Sequence, residues 1–212
     1  MNKTTDTVII AHDYLCPWCW AALFQAKRLR EEFPQIKQDW RGFELLPESL
    51  GPLPDYKPAP KDPAAPPSRL EVLMAVDNIP LYGKDRTIGI VRTHDALQGA
   101  EYVKEHSPAQ FDLYNEAVYR AFWERSEDIS KIEVLASIVE EMGQDPADFT
   151  AAVSRKAYSS KIMAFDDDAY ASDIAHVATF VFRGERCAEA PYSTIRDLAL
   201  RFIAWYGPKD QT

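Results

Sequence analysis

The sequence predicts an α/β protein in which a strand–helix–strand unit is completed early, broken by a long helical block, and resumed by a hairpin and a last helix. Three observations carry this. An uncharged, β-branched run from Thr7 to Ala11 leads directly into a cysteine pair at the head of an amphipathic segment. Eight of the chain's fifteen prolines fall between Pro47 and Pro67. Beyond them apolar side chains recur at helical spacing for roughly a hundred residues, until β-branched residues return at Val177.

Taken in order, TVIIA at the start has the unbroken apolar character of a strand buried in a parallel sheet. After Pro17, WCWAALFQAKRLREEF keeps Ala, Leu and Phe to one side and gathers Lys, Arg and Glu toward its end, as a helix packed on a sheet does. Pro17 suits the first turn, because the donor it lacks would have no helical acceptor there. IKQDWRGFELL, from Ile36 to Leu46, alternates loosely around Trp40 and Phe43 and reads as a second strand. The βαβ unit is then complete by about residue 47.

The proline-rich stretch forbids a regular helix or a central strand and reads as extended surface chain. Helix starts follow at Ser107-Pro108, at Ser130 with Glu133 as a capping box, and at Asp145-Pro146. Phe111, Tyr114, Val118 and Phe122, then Ile132, Leu135, Ile138, Val139 and Met142, mark the buried faces of successive helices. Val177 to Arg183 reads as a strand, and Gly184 in a type II′ turn returns it along RCAEA. In the helix after Pro191, Ile195, Leu198, Phe202 and Trp205 form the inward stripe, with Arg196 and Asp197 outward.

Composition narrows the function. At 212 residues, 46% hydrophobic and 27% charged, the chain is an ordinary globular one with no membrane-length apolar run. Its first residues lack the apolar core of a secretory signal, so a cytoplasmic location and no membrane partner are expected. A net charge of −9 without any basic, aromatic-rich cluster argues against nucleic acid. Of three cysteines, Cys16 and Cys19 are paired in sequence and Cys187 is remote, which suits a reactive pair better than a structural bridge.

A disulfide-exchange catalyst needs an accessible thiol that ionises readily and a second thiol within reach to expel the bound partner. Cys16-Pro17-Trp18-Cys19 meets that need. Cys16 falls at the helix N-cap, where free N–H groups and the positive end of the macrodipole favour a thiolate, and Cys19 lies one turn further in. Attack is therefore assigned to Cys16 and resolution to Cys19. A metal site would need two more ligands, and Cys187, His12, His94, His106 and His176 show no second paired spacing, so no metal is expected. Trp18 is either an apolar contact for substrate or local packing. His12 is either a protonated stabiliser of the thiolate or a satisfied structural histidine, and Cys187 reads as a small buried hydrophobe.

DYLCPWCW at 13 to 20, WRGFELLPE at 40 to 48, AVYRAFWE at 117 to 124 and the terminal ATFVF resemble the DsbA-like oxidoreductases of the FrnE branch over essentially the whole chain. The resemblance implies a thioredoxin-like fold with an all-helical insertion domain. It divides the chain into a core part at 1–47, linker and insertion at 48–154, and a second core part at 155–212. The family includes glutathione-dependent 2-hydroxychromene-2-carboxylate isomerases and kappa-class glutathione transferases, which usually carry Ser at the position of Cys16.

One position departs from the family. Where such proteins have a cis proline before the third strand, this chain reads His176-Val177-Ala178-Thr179. Since a non-proline cis bond costs about 2.5–4 kcal/mol, the peptide before Ala178 is expected to be trans. Three consequences stay open. Substrate lies extended along Val177, Ala178 and Thr179; or His176 comes beside Cys16 and modulates it; or the dithiol takes a metal or an iron–sulfur cluster shared between two chains. The substrate is then a protein or small-molecule thiol or disulfide, with no cofactor beyond the cysteine pair and glutathione as a candidate co-substrate. The alternatives are a glutathione-using isomerase or transferase, with Thr93, His94 and Gln98 lining its cleft, and a non-catalytic binding protein. The apolar face of the insertion offers a surface for a homodimer.

Overall fold

The computed structural model describes residues 7–53, 62, 64–82, 87–164 and 174–206. Strands β1 (Thr7–His12), β2 (Lys37–Glu44), β3 (Met163–Ala164), β4 (Thr179–Phe182) and β5 (Glu185–Ala188) form one sheet in the order β3-β2-β1-β4-β5. Helix α1 (Pro17–Glu32) joins β1 to β2, and α7 (Tyr192–Tyr206) follows β5. Between β2 and β3 lie α2 (Arg69–Val76), α3 (His94–His106), α4 (Phe111–Trp123), α5 (Ile132–Glu141) and α6 (Pro146–Ser154). Pro54, Pro58, Pro60 and Pro63 of the proline-rich stretch lie outside the described residues. None of the helices among the described residues is long and apolar enough to cross a membrane.

The central strand explains its own sequence. β1 runs parallel to β2 with Ile10 opposite Trp40, and antiparallel to β4 with Ile10 opposite Phe180. Covered on both sides and both faces, it buries Val8, Ile10 and Ala11 completely, which is why it carries no charge. Trp20 of α1 is fully buried, and its indole N–H donates to the Pro80 carbonyl at 3.0 Å, tying the core helix to the inserted block.

Three local expectations are corrected. Lys131, not Ser130, stands at the N-cap of α5, with no side-chain cap bond; the Ser130 hydroxyl is turned back on Asp128 Oδ1. The capping box occurs instead at α2, where Ser68 Oγ accepts from Glu71 N–H and Glu71 accepts from Ser68 N–H. β4 starts at Thr179 rather than Val177, because residues 176–178 bend toward the cysteines. Arg183 (φ 35°) and Gly184 (φ 100°) are both left-handed, so the two-residue hairpin turn is of the I′ rather than the II′ kind. A further correction concerns Trp205. It continues the stripe of Ile195, Leu198 and Phe202 but is 72% exposed, because the last turn of α7 leaves it bordering an open groove with Phe182 and Arg201.

Packing in the inserted block is tight enough to test. A Cβ on Gly99 of α3 would overlap the Tyr114 hydroxyl of α4 and stand 2.8 Å from Cζ of Phe149 in α6. Both rings are fully buried and cannot retreat. Gly99→Ala gains about 1 kcal/mol of helix propensity, but overpacking of this kind costs up to about 3 kcal/mol. The expected net loss is about 2 kcal/mol, read as a lower denaturation midpoint; an unchanged or raised midpoint would show that the three helices are looser than described.

Candidate functional site

The site begins where β1 ends. His12 and Asp13 are buried, the chain turns through Tyr14 and Leu15, and Cys16 N–H donates to the Asp13 carbonyl at 3.2 Å. Cys16 is the N-cap of α1 in extended backbone (φ −79°, ψ 121°), and Pro17 opens the helix. The Cys16 carbonyl accepts from Cys19 N–H at 3.0 Å and Trp20 N–H at 3.3 Å, which sets Cys19 one turn inward. Both cysteines are free thiols.

Across from them lies the bend before β4. Cys16 Sγ donates to the Val177 carbonyl at 3.0 Å, and Val177, Ala178 and Thr179 are all buried. The Val177–Ala178 peptide is cis, which corrects the trans expectation: these two residues are enclosed, with the Val177 carbonyl held against the Cys16 thiol. The same cover corrects the expectation of an exposed first sulfur. Cys16 is 5% exposed and Cys19 0%, so the order of access is kept while both thiols are sheltered. Burial, then the bond to and charge of Cys16, push the Cys19 thiol well above its ordinary range.

The other residues assigned from sequence divide in two. Trp18 packs partly buried against the core, with the Arg69 guanidinium 5.6 Å from its ring. With Ala178, Phe180 and Cys187 it lines a cleft of about 10 Å³, the room of one water. Burial raises the Cys187 thiol to about 12, as suits a packing residue in β5. His176, by contrast, is 64% exposed and stands 3.9 Å from Glu189. His12 is corrected as a cationic modulator: burial, with the Lys104 charge, lowers it to about 3, so it is neutral, with Nδ1 3.0 Å from the Tyr119 hydroxyl.

Asp13 and α4 are what the sequence reading passed over. Asp13 Oδ1 accepts from Leu15 N–H at 2.8 Å; Oδ2 accepts from Leu45 N–H at 2.7 Å and from the Thr93 hydroxyl at 3.1 Å. Burial raises this carboxyl from 3.8 to about 6, although those donors act in the opposite sense. Trp123 Nε1–H of α4 donates to the Tyr14 carbonyl at 2.9 Å. The signal was an acid placed between a buried strand and the dithiol, a position with no solvent to hold it.

Of the three residues assigned to a glutathione cleft, Thr93 is spent on Asp13, and Gln98 is buried with its amide on Asp95 and its carbonyl accepting from Tyr158 N–H. His94 borders a cavity. No group of three or more His, Cys, Asp or Glu among the described residues is placed to hold a metal ion.

A βαβ unit, an antiparallel hairpin and a dithiol at the head of α1 opposite a buried cis peptide define a thioredoxin-type protein. The chain belongs to the DSBA-like thioredoxin domain family, whose model matches residues 7–196. It is 28% identical over 189 residues to the uncharacterized protein YwbO of Bacillus subtilis, covering 84% of this chain and 86% of that one. Among solved structures it resembles a probable DsbA oxidoreductase of Streptomyces coelicolor (TM-score 0.67, 19% identity, 97% and 92% of the two chains). It also resembles the cytosolic disulfide reductase DsbM of Pseudomonas aeruginosa, solved with GSH (TM-score 0.61, 16% identity, 94% and 96%). At these identities the structural likeness concerns the fold.

Proposed function

We propose that the protein is a thiol-disulfide oxidoreductase working through Cys16 and Cys19. The observation that carries this reading is a free thiol at the N-cap of α1, with a second, fully buried thiol one turn along the same helix. In the reducing direction the Cys16 thiolate attacks a substrate disulfide, forms a mixed disulfide and releases one substrate thiolate. Cys19 then loses its proton and attacks Cys16 Sγ; the second substrate thiol leaves, and the enzyme holds the Cys16–Cys19 disulfide. The oxidising direction is the same sequence reversed.

Burial and the neighbouring Cys16 oppose early ionisation of Cys19. Once Cys16 is tied up as a mixed disulfide its thiol contribution is gone, so the resolving thiol becomes easier to ionise only after the partner is caught. Substrate reaching Cys16 displaces the thiol's bond to Val177, and Trp18 and Ala178, which share one cleft, are the apolar surface beside it. Glutathione disulfide is a suitable small substrate, and the GSH in the DsbM structure supports trying it first. That relative's description as cytosolic supports a cytoplasmic setting.

Cys19→Ser tests the division of roles. Mixed with glutathione disulfide or disulfide-bonded insulin, the variant is expected to accumulate a mixed disulfide on Cys16 while one substrate thiol is released, seen by mass spectrometry and reversed by dithiothreitol. Absence of any such adduct, in a variant that melts as the wild type does, would overturn the reading.

A further inference from the structure

A second constellation, made of residues other than the thiols, lies where the ends of three elements meet. Glu44 ends β2, His94 begins α3, and Ser159 begins the single helical turn Ser159–Lys161 after α6. His94 Nδ1 is 2.8 Å from Glu44 Oε2, and His94 Nε2 is 2.9 Å from Ser159 Oγ. Residues 44, 94 and 159 are thus aligned carboxylate, imidazole, hydroxyl, in the relation that nucleophilic catalysis by serine requires.

The geometry also sets the proton. The Glu44 side chain is 5% exposed, and a buried carboxylate can only accept, so His94 Nδ1 carries the hydrogen and Nε2 presents its lone pair to Ser159 Oγ–H. Glu44 beside the ring holds the His94 pKa above its ordinary value, which favours the imidazolium that forms when the hydroxyl proton is taken. His94 and Ser159 are partly exposed and line a cavity of about 840 Å³, within the range that holds small organic ligands. Arg92, on its wall, is occupied with the carbonyls of Leu46, Pro47 and Gly51. Lys156, also on the wall, acts electrostatically on His94 and puts a positive charge beside the site.

We propose that Ser159, His94 and Glu44 form a hydrolytic site for small carboxylic esters, using none of the dithiol's groups. Ser159 Oγ bonds to the ester carbonyl carbon while its proton passes to His94 Nε2. The adduct then breaks its bond to the alcohol oxygen, which leaves with that proton. Water, giving a proton to His94, attacks the acyl-serine; the acyl carbon–Oγ bond breaks, the proton returns to Oγ, and the products are the acid and the alcohol. Glu44 touches no substrate and is a positioning residue that fixes the tautomer of His94.

The test uses the full chain with Cys16→Ser and Cys19→Ser, which removes thiol background, and a fluorophosphonate probe. The expected result is one covalent adduct on Ser159 by peptide mapping. It should be lost in Ser159→Ala and slowed at least ~100-fold in His94→Asn, as expected when a base is removed from its nucleophile. Hydrolysis of p-nitrophenyl acetate should fall in parallel, while Ser159→Ala with both cysteines intact keeps disulfide turnover. An unlabelled Ser159 in the chain with His94 intact, or labelling indifferent to the His94 change, would overturn the proposal. The first of these outcomes does not depend on how any His94 variant folds.

Discussion

Cys16→Ser is expected to lower disulfide turnover at least ~10³-fold, the scale on which loss of a catalytic nucleophile is felt. A serine hydroxyl at the same place is scarcely ionised near neutrality and does not displace a thiolate from sulfur, so no mixed disulfide forms. Stability should hardly change. Cys16 Sγ donates to the Val177 carbonyl at 3.0 Å and bonds with the neighbouring Cys19 thiol, and a serine hydroxyl in the same turn can serve both partners. Reduction of glutathione disulfide coupled to thiol detection, together with a melting curve, separates the two properties. Residual turnover within tenfold of the wild type would move the chemistry to another residue.

Replacing Asp13 is expected to change how stability depends on pH. Its carboxyl is raised on folding from 3.8 to about 6, chiefly by burial. Between those values the folded chain holds more protons than the unfolded one, so the Asp13 contribution is fully present below 3.8 and lost as pH rises through about 6. The shift corresponds to about 3 kcal/mol by pH 8. His12, next in the chain, has the opposite sign: lowered from 6.5 to about 3, it contributes stability above 6.5 that is lost on acidification. The two windows overlap, so the wild-type curve alone does not separate them.

The comparison with Asp13→Asn does. The amide offers one oxygen where two are used, and turns an N–H₂ group toward Leu15 N–H or toward Leu45 N–H and Thr93. At pH 4–5 the variant should be less stable by about 1–3 kcal/mol, the cost of an unsatisfied buried donor. By pH 8 the gap should narrow by about 1.5–2.5 kcal/mol, because only the wild type then carries a buried charge. Denaturant titrations at several pH values check this, and a constant gap would count against a titrating Asp13.

How much of this was legible depends on whether the cause was local. The uncharged Thr7–Ala11 run, Pro17 at the head of α1 and Asp145-Pro146 at α6 each state their structure within a few residues, and they appear where expected. Ser68 and Ser130 carry the same spacing to a glutamate, yet only Ser68 caps, because Asp128 competes for Ser130 at short range. The shelter over Cys16 is supplied by Val177, 161 residues away in sequence, and no local pattern around Cys16 reports it; the family resemblance alone pointed to that stretch. The Asp13 clasp and the alignment of residues 44, 94 and 159 likewise join segments whose proximity is decided by the path of the insertion.

That path binds the inserted helices to the redox turn. Thr93 reaches the Asp13 carboxylate, and Trp123 reaches the Tyr14 carbonyl, both just ahead of the first sulfur. A shortened chain spliced from residue 47 to 155 would keep every strand and both thiols, yet leave these groups facing water. The loop that aims the nucleophile would then hang from one end only, which makes the helical block part of the sulfur's mounting rather than an appendage beside it.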